Sequence, residues 1–209
     1  MFDLTDNDLS GSILGCADGP ASFNAEARRR GCQAISCDPL YQFAGDAIQS
    51  RIRVTYDRIL HQLHQDQTGY IWKIFTSPEE LGKARMSTMQ RFLQDYTSGK
   101  QAGRYIAAGL PRLPFGNRLF DKVLCSHFLF LYSGQFSLDF HCASVLELCR
   151  VGREVRIFPL VEMSGVSSAY IKPVTSQLQQ LGYRVEFKKV PYEFQRGADT
   201  MMQVFSGTI

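Results

Sequence analysis

Ile13-Leu14-Gly15-Cys16-Ala17-Asp18-Gly19-Pro20 is followed, nineteen residues after Gly19, by an isolated acid in Ser36-Cys37-Asp38-Pro39. Each segment is an apolar run, the first ending in small residues and the second in a carboxylate. In a strand–helix–strand unit a small-residue turn lets a ligand approach the backbone, and the acid closing the second strand holds ribose hydroxyls. A dinucleotide site asks for Gly-x-Gly-x-x-Gly with a pyrophosphate at the helix N-terminus. The corresponding positions are Gly15, Ala17 and Pro20, so that pattern fails twice. A Walker loop fails too, since no Lys-Ser or Lys-Thr follows. What survives is a turn for a ligand with a ribose and no phosphates.

Other reactive side chains are less eloquent. His61 and His64 stand three apart on one helix, but no carboxylate pattern joins them and a solvated face is the plainer reading; no metal is expected. Cys16, Cys32, Cys37, Cys125, Cys142 and Cys149 form no Cys-x-x-Cys pair and lack His partners at zinc spacing. All six are expected to be reduced, buried thiols in a cytoplasmic protein. The net charge is +3, and the one tight basic run, Arg28-Arg29-Arg30, suits a helix C-terminus. No aromatic-interleaved basic surface is present, so nucleic acid is disfavoured as a partner. The longest wholly apolar run, Phe128 to Tyr132, is too short for a bilayer, and no membrane association is expected.

Helix and strand signals alternate along the 209 residues and predict a Rossmann-like, doubly wound α/β sheet of seven strands, mostly parallel with an antiparallel last strand. Strands are expected at 12–16, 33–37, 104–108, 120–126 and 154–160. A final pair, begun by Tyr183, Val185 and Phe187 and ended by 200–205, meets at a tight turn through Arg196-Gly197-Ala198-Asp199, with a bulge at Pro191. The first helix is expected to open with Pro20 and close on Gly31. The next carries Ile48, Ile52, Tyr56, Ile59 and Leu63 on one face. Residues 68–102 read as a helical insertion in a single domain spanning 1–209. There Ser77-Pro78-Glu79-Glu80 caps a helix running to about Tyr96, and Thr97-Ser98-Gly99-Lys100 ends it. Ser137 caps a helix with Leu138, Cys142, Val145 and Cys149 on one face, and a shorter one spans 173–181.

Together these features resemble the class I S-adenosylmethionine-dependent methyltransferases, over nearly the whole chain and most closely an uncharacterised bacterial-type branch. Leu14-Gly15-Cys16-Ala17-Asp18-Gly19 is similar to their first motif, and Asp38 with Pro39 to the acid ending their second strand. Leu113-Pro114-Phe115 ahead of Phe120-Asp121-Lys122-Val123-Leu124, and Ser126-His127-Phe128-Leu129-Phe130 at the fourth strand's end, are similar to other segments of theirs. The resemblance implies S-adenosylmethionine as cofactor, with Ala108, Gly109 and Leu110 at the adenine and Ser126 at the edge. Two family acids are missing: Ile13 stands where the methionine amino group usually finds one, with Asp18 in the same loop as its substitute, and Ala107-Ala108-Gly109-Leu110 replaces the one near adenine.

Since a sulfonium methyl is already activated, the protein chiefly aligns a nucleophile and excludes water. A general base matters when the acceptor carries a proton. His127, one residue past the fourth strand, comes first, then Tyr132 and His141; each also has a structural reading. Tyr41 either stacks on adenine or packs in the core. Trp72 and Phe75 either line an acceptor pocket or pack the insertion onto the sheet. The expectation is methyl transfer to a small-molecule acceptor; the alternative is a non-catalytic, cofactor-binding regulator or assembly protein. A nicotinamide oxidoreductase is disfavoured by Ala17 and Pro20, and an RNA-modifying enzyme would show steeply salt-dependent affinity.

Overall fold

The computed structural model describes residues 1–65 and 67–206. Among them seven strands form one sheet: β1 (Ser12–Cys16), β2 (Gln33–Cys37), β3 (Tyr105–Ile106), β4 (Phe120–Ser126), β5 (Gly152–Phe158), β6 (Arg184–Lys189) and β7 (Thr200–Phe205). Their order is β3-β2-β1-β4-β5-β7-β6, and β7 alone runs against its neighbours. The fold is Rossmann-like and doubly wound. β1 and β7 are buried on both faces because helices or loops cover both sides. The edge strand β6 is mostly exposed and carries Arg184, Glu186, Lys188 and Lys189, charges that discourage edge-to-edge pairing.

Six helices flank the sheet among the described residues: α1 (Asp6–Leu9), α2 (Phe23–Arg29), α3 (Gly45–Gln65), α4 (Pro78–Gln101), α5 (Leu138–Val151) and α6 (Ile171–Gln180). The capping box of Thr5 and Asp8 holds α1, a single turn too short to leave a periodic signal. α2 starts at Phe23 rather than Pro20. Ala17 (φ 58°) and Gly19 (φ 56°) keep the chain in left-handed space beforehand, so Pro20 falls in a loop; Gly31 does cap the far end, at φ 80°. α4 opens as expected, the Ser77 hydroxyl accepting the Glu80 N–H at 3.2 Å. It does not stop near Tyr96. Gly99 lies inside the helix, where the missing side chain admits Tyr105: a Cβ there would sit 2.4 Å from that ring.

Two strands end sooner than expected, and β5 also begins earlier, at Gly152, which pairs with Phe120. β3 shrinks to two residues because β2 turns away at Pro39, which has no N–H to offer. β5 ends at Phe158, before Pro159. β6 and β7 are antiparallel, but ten residues join them; Pro191 lies in that connection and forms no bulge. α6 begins at Ile171, two residues before Pro173.

Both α3 and α4 occupy the β2–β3 crossover. Phe92 and Tyr96 of α4 are fully buried with Tyr41 and Tyr105, their ring centroids 5.0–5.9 Å apart. Each such ring stabilises the fold by roughly 1.5–3 kcal/mol. The Tyr96 hydroxyl donates to the Tyr41 and Phe43 carbonyls at 2.9 and 2.8 Å. α4 thereby grips the 3₁₀ turn Pro39–Gln42 that follows β2.

Candidate functional site

The strand order reverses between β1 and β4, and in such sheets ligands bind there, outside the carboxyl ends. The loops after both strands contain a non-glycine residue in the left-handed region, Ala17 and His127 (φ 52°). Each such residue costs on the order of 1 kcal/mol, a strain that gathers at functional loops.

Beyond β1 the Ala17 N–H donates to the Cys37 carbonyl at 2.9 Å, folding the loop toward β2. Gly19 faces open space, since a Cβ there would meet nothing within 4 Å. The Asp18 residue is only partly buried, but its carboxylate turns inward onto Gly15, where a Cβ would lie 2.0 Å from Oδ2. Ser36 donates to that Oδ2 at 2.6 Å. Burial, opposed by the Ser36 bond and reinforced by the negative charge of Asp38, pushes the Asp18 carboxyl up to about 7. Asp38 accepts the Gly19 N–H at Oδ2 (2.9 Å) and the Leu40 N–H at Oδ1 (2.7 Å). Each oxygen keeps lone-pair capacity for one further donor. Neither carboxylate has an ion-pair partner among the described residues.

Beneath this loop Cys37, Cys16 and Cys125 form a row across β2, β1 and β4, all wholly buried. Burial raises the Cys125 thiol to about 12, and a hydrogen bond with Cys37 together with burial holds the Cys16 thiol well above its usual range. These thiols are inert core. Cys142 departs from expectation in being only partly buried.

The structure brings most of the expected residues to one edge. Gly109 presses on Pro39, with an added Cβ 2.8 Å from the ring, so the 108–110 segment lies against the Asp38 turn. Ser126 and His127 close β4. The Ser126 hydroxyl lies 3.1 Å from the Met1 sulfur and 2.7 Å from His127 Nδ1, so the serine fixes the orientation of the imidazole. Although His127 is exposed as a residue, protein crowded around the ring, with the charge of Arg85, lowers its pKa to about 4.

Other candidates fall elsewhere. Leu14 and Cys16 bury their side chains in the core, so only their backbone serves the loop. His141 is fully buried, its ring nitrogens 2.8 and 2.9 Å from the carbonyls of Ser137 and Leu129. It ties α5 to the loop after β4 and does not line the edge. Tyr132 is partly buried, its ring 6.1 Å from Phe128. Tyr41 is core rather than a stacking platform, and its hydroxyl donates to the Gly19 carbonyl at 2.7 Å. Trp72 and Phe75 pack with Tyr70 around Phe194. The Ile71 N–H donates to Phe194 O at 2.7 Å and the Arg196 N–H to Gly69 O at 2.9 Å, lacing this loop to the β6–β7 connection. His64 pairs with Glu79 at 2.8 Å, and no metal-competent cluster exists among the described residues. None of the described helices is long and apolar enough to cross a membrane.

Three further groups bear on the site. Ser36 is visible in the sequence only as a polar residue in an apolar strand, in register with Gly15. The Leu40 N–H and the charge of Arg85 leave no sequence signal, being set by tertiary placement.

No family model matches the chain. It is 29% identical over 203 residues to the uncharacterized protein MJ0045 of Methanocaldococcus jannaschii, covering 97% of this chain and 89% of that one. Among solved structures it is similar to magnesium protoporphyrin IX methyltransferase from Synechocystis PCC 6803 with bound SAH. That likeness has a TM-score of 0.49 and 11% identity, covering 97% of this chain and 77% of that one. It is also similar to a SAM-dependent methyltransferase from Aquifex aeolicus, with a TM-score of 0.45 and 12% identity, covering 94% and 81%.

Proposed function

We propose that this chain is an S-adenosylmethionine-dependent methyltransferase acting on a small-molecule acceptor. The observation that carries this reading is the facing of Gly19 and the Asp38 carboxylate at the switch point of the sheet. The residues present fit the cofactor. The remaining lone pairs of Asp38 suit two ribose hydroxyls, and the 108–110 segment against Pro39 suits the adenine. The Asp38 carboxylate, which has no ion-pair partner among the described residues, suits a ligand that also bears an ammonium and a sulfonium. When bound, the cofactor supplies a methyl group activated by positive sulfur.

The chain's own part is alignment, desolvation and proton removal. His127 is held neutral at physiological pH, and its imidazole is the group placed to take the acceptor's proton. A base this weak suits an acceptor whose proton turns acidic as the new bond forms.

A non-catalytic binder of the same nucleoside is the second reading, favoured by Ile13, whose apolar side chain is wholly buried where an acid would serve the amino group. Incubation of a metabolite extract with methyl-labelled cofactor separates the two. Labelled product establishes transfer. Binding of S-adenosylhomocysteine without product favours the second reading, and failure of both removes the cofactor from the site.

A further inference from the structure

A polar chain of hydrogen bonds leads from α4 to the loop beyond β1. At its outer end Asp95 of α4 accepts from both terminal nitrogens of Arg104, each at 2.7 Å, and from the Tyr105 hydroxyl at 2.8 Å. Arg104 also donates to the side-chain oxygen of Asn24. A guanidinium has only donors, so it faces that oxygen and turns the Asn24 amide nitrogen toward β2. There the nitrogen donates to the Ala34 and Arg104 carbonyls at 3.1 and 3.2 Å and to the Ser36 hydroxyl at 3.3 Å. With that donor on its oxygen, Ser36 aims its one hydrogen at Asp18 Oδ2, 2.6 Å away. Asn24 and Ser36 are each 1% exposed. α2 buries Asn24 alongside Ala25 and Ala27, where an apolar side chain would need no partners.

We infer that Asn24 is a positioning residue of the nucleoside site. Held by Arg104 and Asp95, it sets the Ser36 hydroxyl as donor to Asp18 and so fixes the loop that presents Gly19 and Asp38 to the ligand. Its effect on S-adenosylhomocysteine rests on the cofactor reading; its effect on Asp18 does not. α4 thereby shapes a site whose residues come from β1, β2 and the loops that follow them.

The test measures S-adenosylhomocysteine binding by calorimetry and the Asp18 carboxyl titration by carbon NMR in wild type, Asn24→Ala, Ser36→Ala and the double variant. Each single change should weaken binding about tenfold, the loss of one bond to a charged group. Each should also raise the Asp18 midpoint, because the carboxylate loses its donor or the donor loses its aim. In the Ser36→Ala background, Asn24→Ala should add little to either effect. A role in packing alone gives losses that add and leaves the midpoint where it was. If Asn24→Ala does not fold, Asn24→Asp keeps the shape and the bond to Arg104 but withdraws the donor, and it should weaken binding only while Ser36 is present. Unchanged affinity, additive losses or an unmoved midpoint overturns the proposal. If wild type does not bind S-adenosylhomocysteine, the cofactor reading falls and the Asp18 midpoint alone decides the role of Asn24.

Discussion

Replacing Asp18 with Asn should make the ligand-free protein more stable, and only at higher pH. The native carboxyl titrates at about 7 against 3.8 unfolded, because it is buried and faces Asp38. The unfolded chain therefore releases this proton first, and folding above pH 3.8 must take it back up or bury the charge. Stability falls by up to about 1.4 kcal/mol per pH unit between roughly 4 and 7, then levels off. The full span is at most about 4 kcal/mol, and less where the loop relaxes around the charge. Asn has nearly the same shape, can still bond the Ser36 hydroxyl now 2.6 Å away, and carries no charge to desolvate. Urea unfolding at pH 5, 6, 7 and 8 should show wild type and Asp18→Asn converging toward low pH and diverging by a few kcal/mol at pH 8. A variant less stable than wild type at pH 8, or offset equally at every pH, refutes the reasoning. Its affinity for S-adenosylmethionine should meanwhile fall, the usual exchange where a strained charge is kept for a ligand.

Asp38→Ala removes the acceptor for the Gly19 and Leu40 amides and should weaken S-adenosylhomocysteine binding by about 1.5–3 kcal/mol; an unchanged dissociation constant in calorimetry removes the ribose assignment. His127→Ala should depress turnover with little change in cofactor affinity, and the wild-type His127 ring should titrate near pH 4 by NMR; a midpoint above 6 contradicts the crowding around it. Gly99→Ala drives a methyl group into the Tyr105 ring and should cost about 1–3 kcal/mol in unfolding experiments, whereas a neutral result means α4 can slide.

The sequence disclosed what local chemistry encodes. β1, β2 and β4 have the bounds their apolar runs dictate, and the turn and acid that define the nucleoside end were legible because ligand approach demands those residues. It was silent where tertiary contact decides. Gly99 looks like a helix stop in isolation and is a packing notch in the fold. β3 is short because of a proline in its neighbour, not in itself. His141 and His127 are alike as sequence; one is bracketed by carbonyls in the core, and the other sits on a left-handed bend at the edge.

The lacing of residues 69–71 to 194–196 has a mechanical consequence. One strip belongs to the crossover on the left half of the sheet and the other to the hairpin on its right, so the rim is spanned like a bridge with both abutments fixed. Parting these two loops means losing both hydrogen bonds, each worth roughly 0.5–1.5 kcal/mol, so the far ends of the sheet are coupled through their connections as well as through the strands between them.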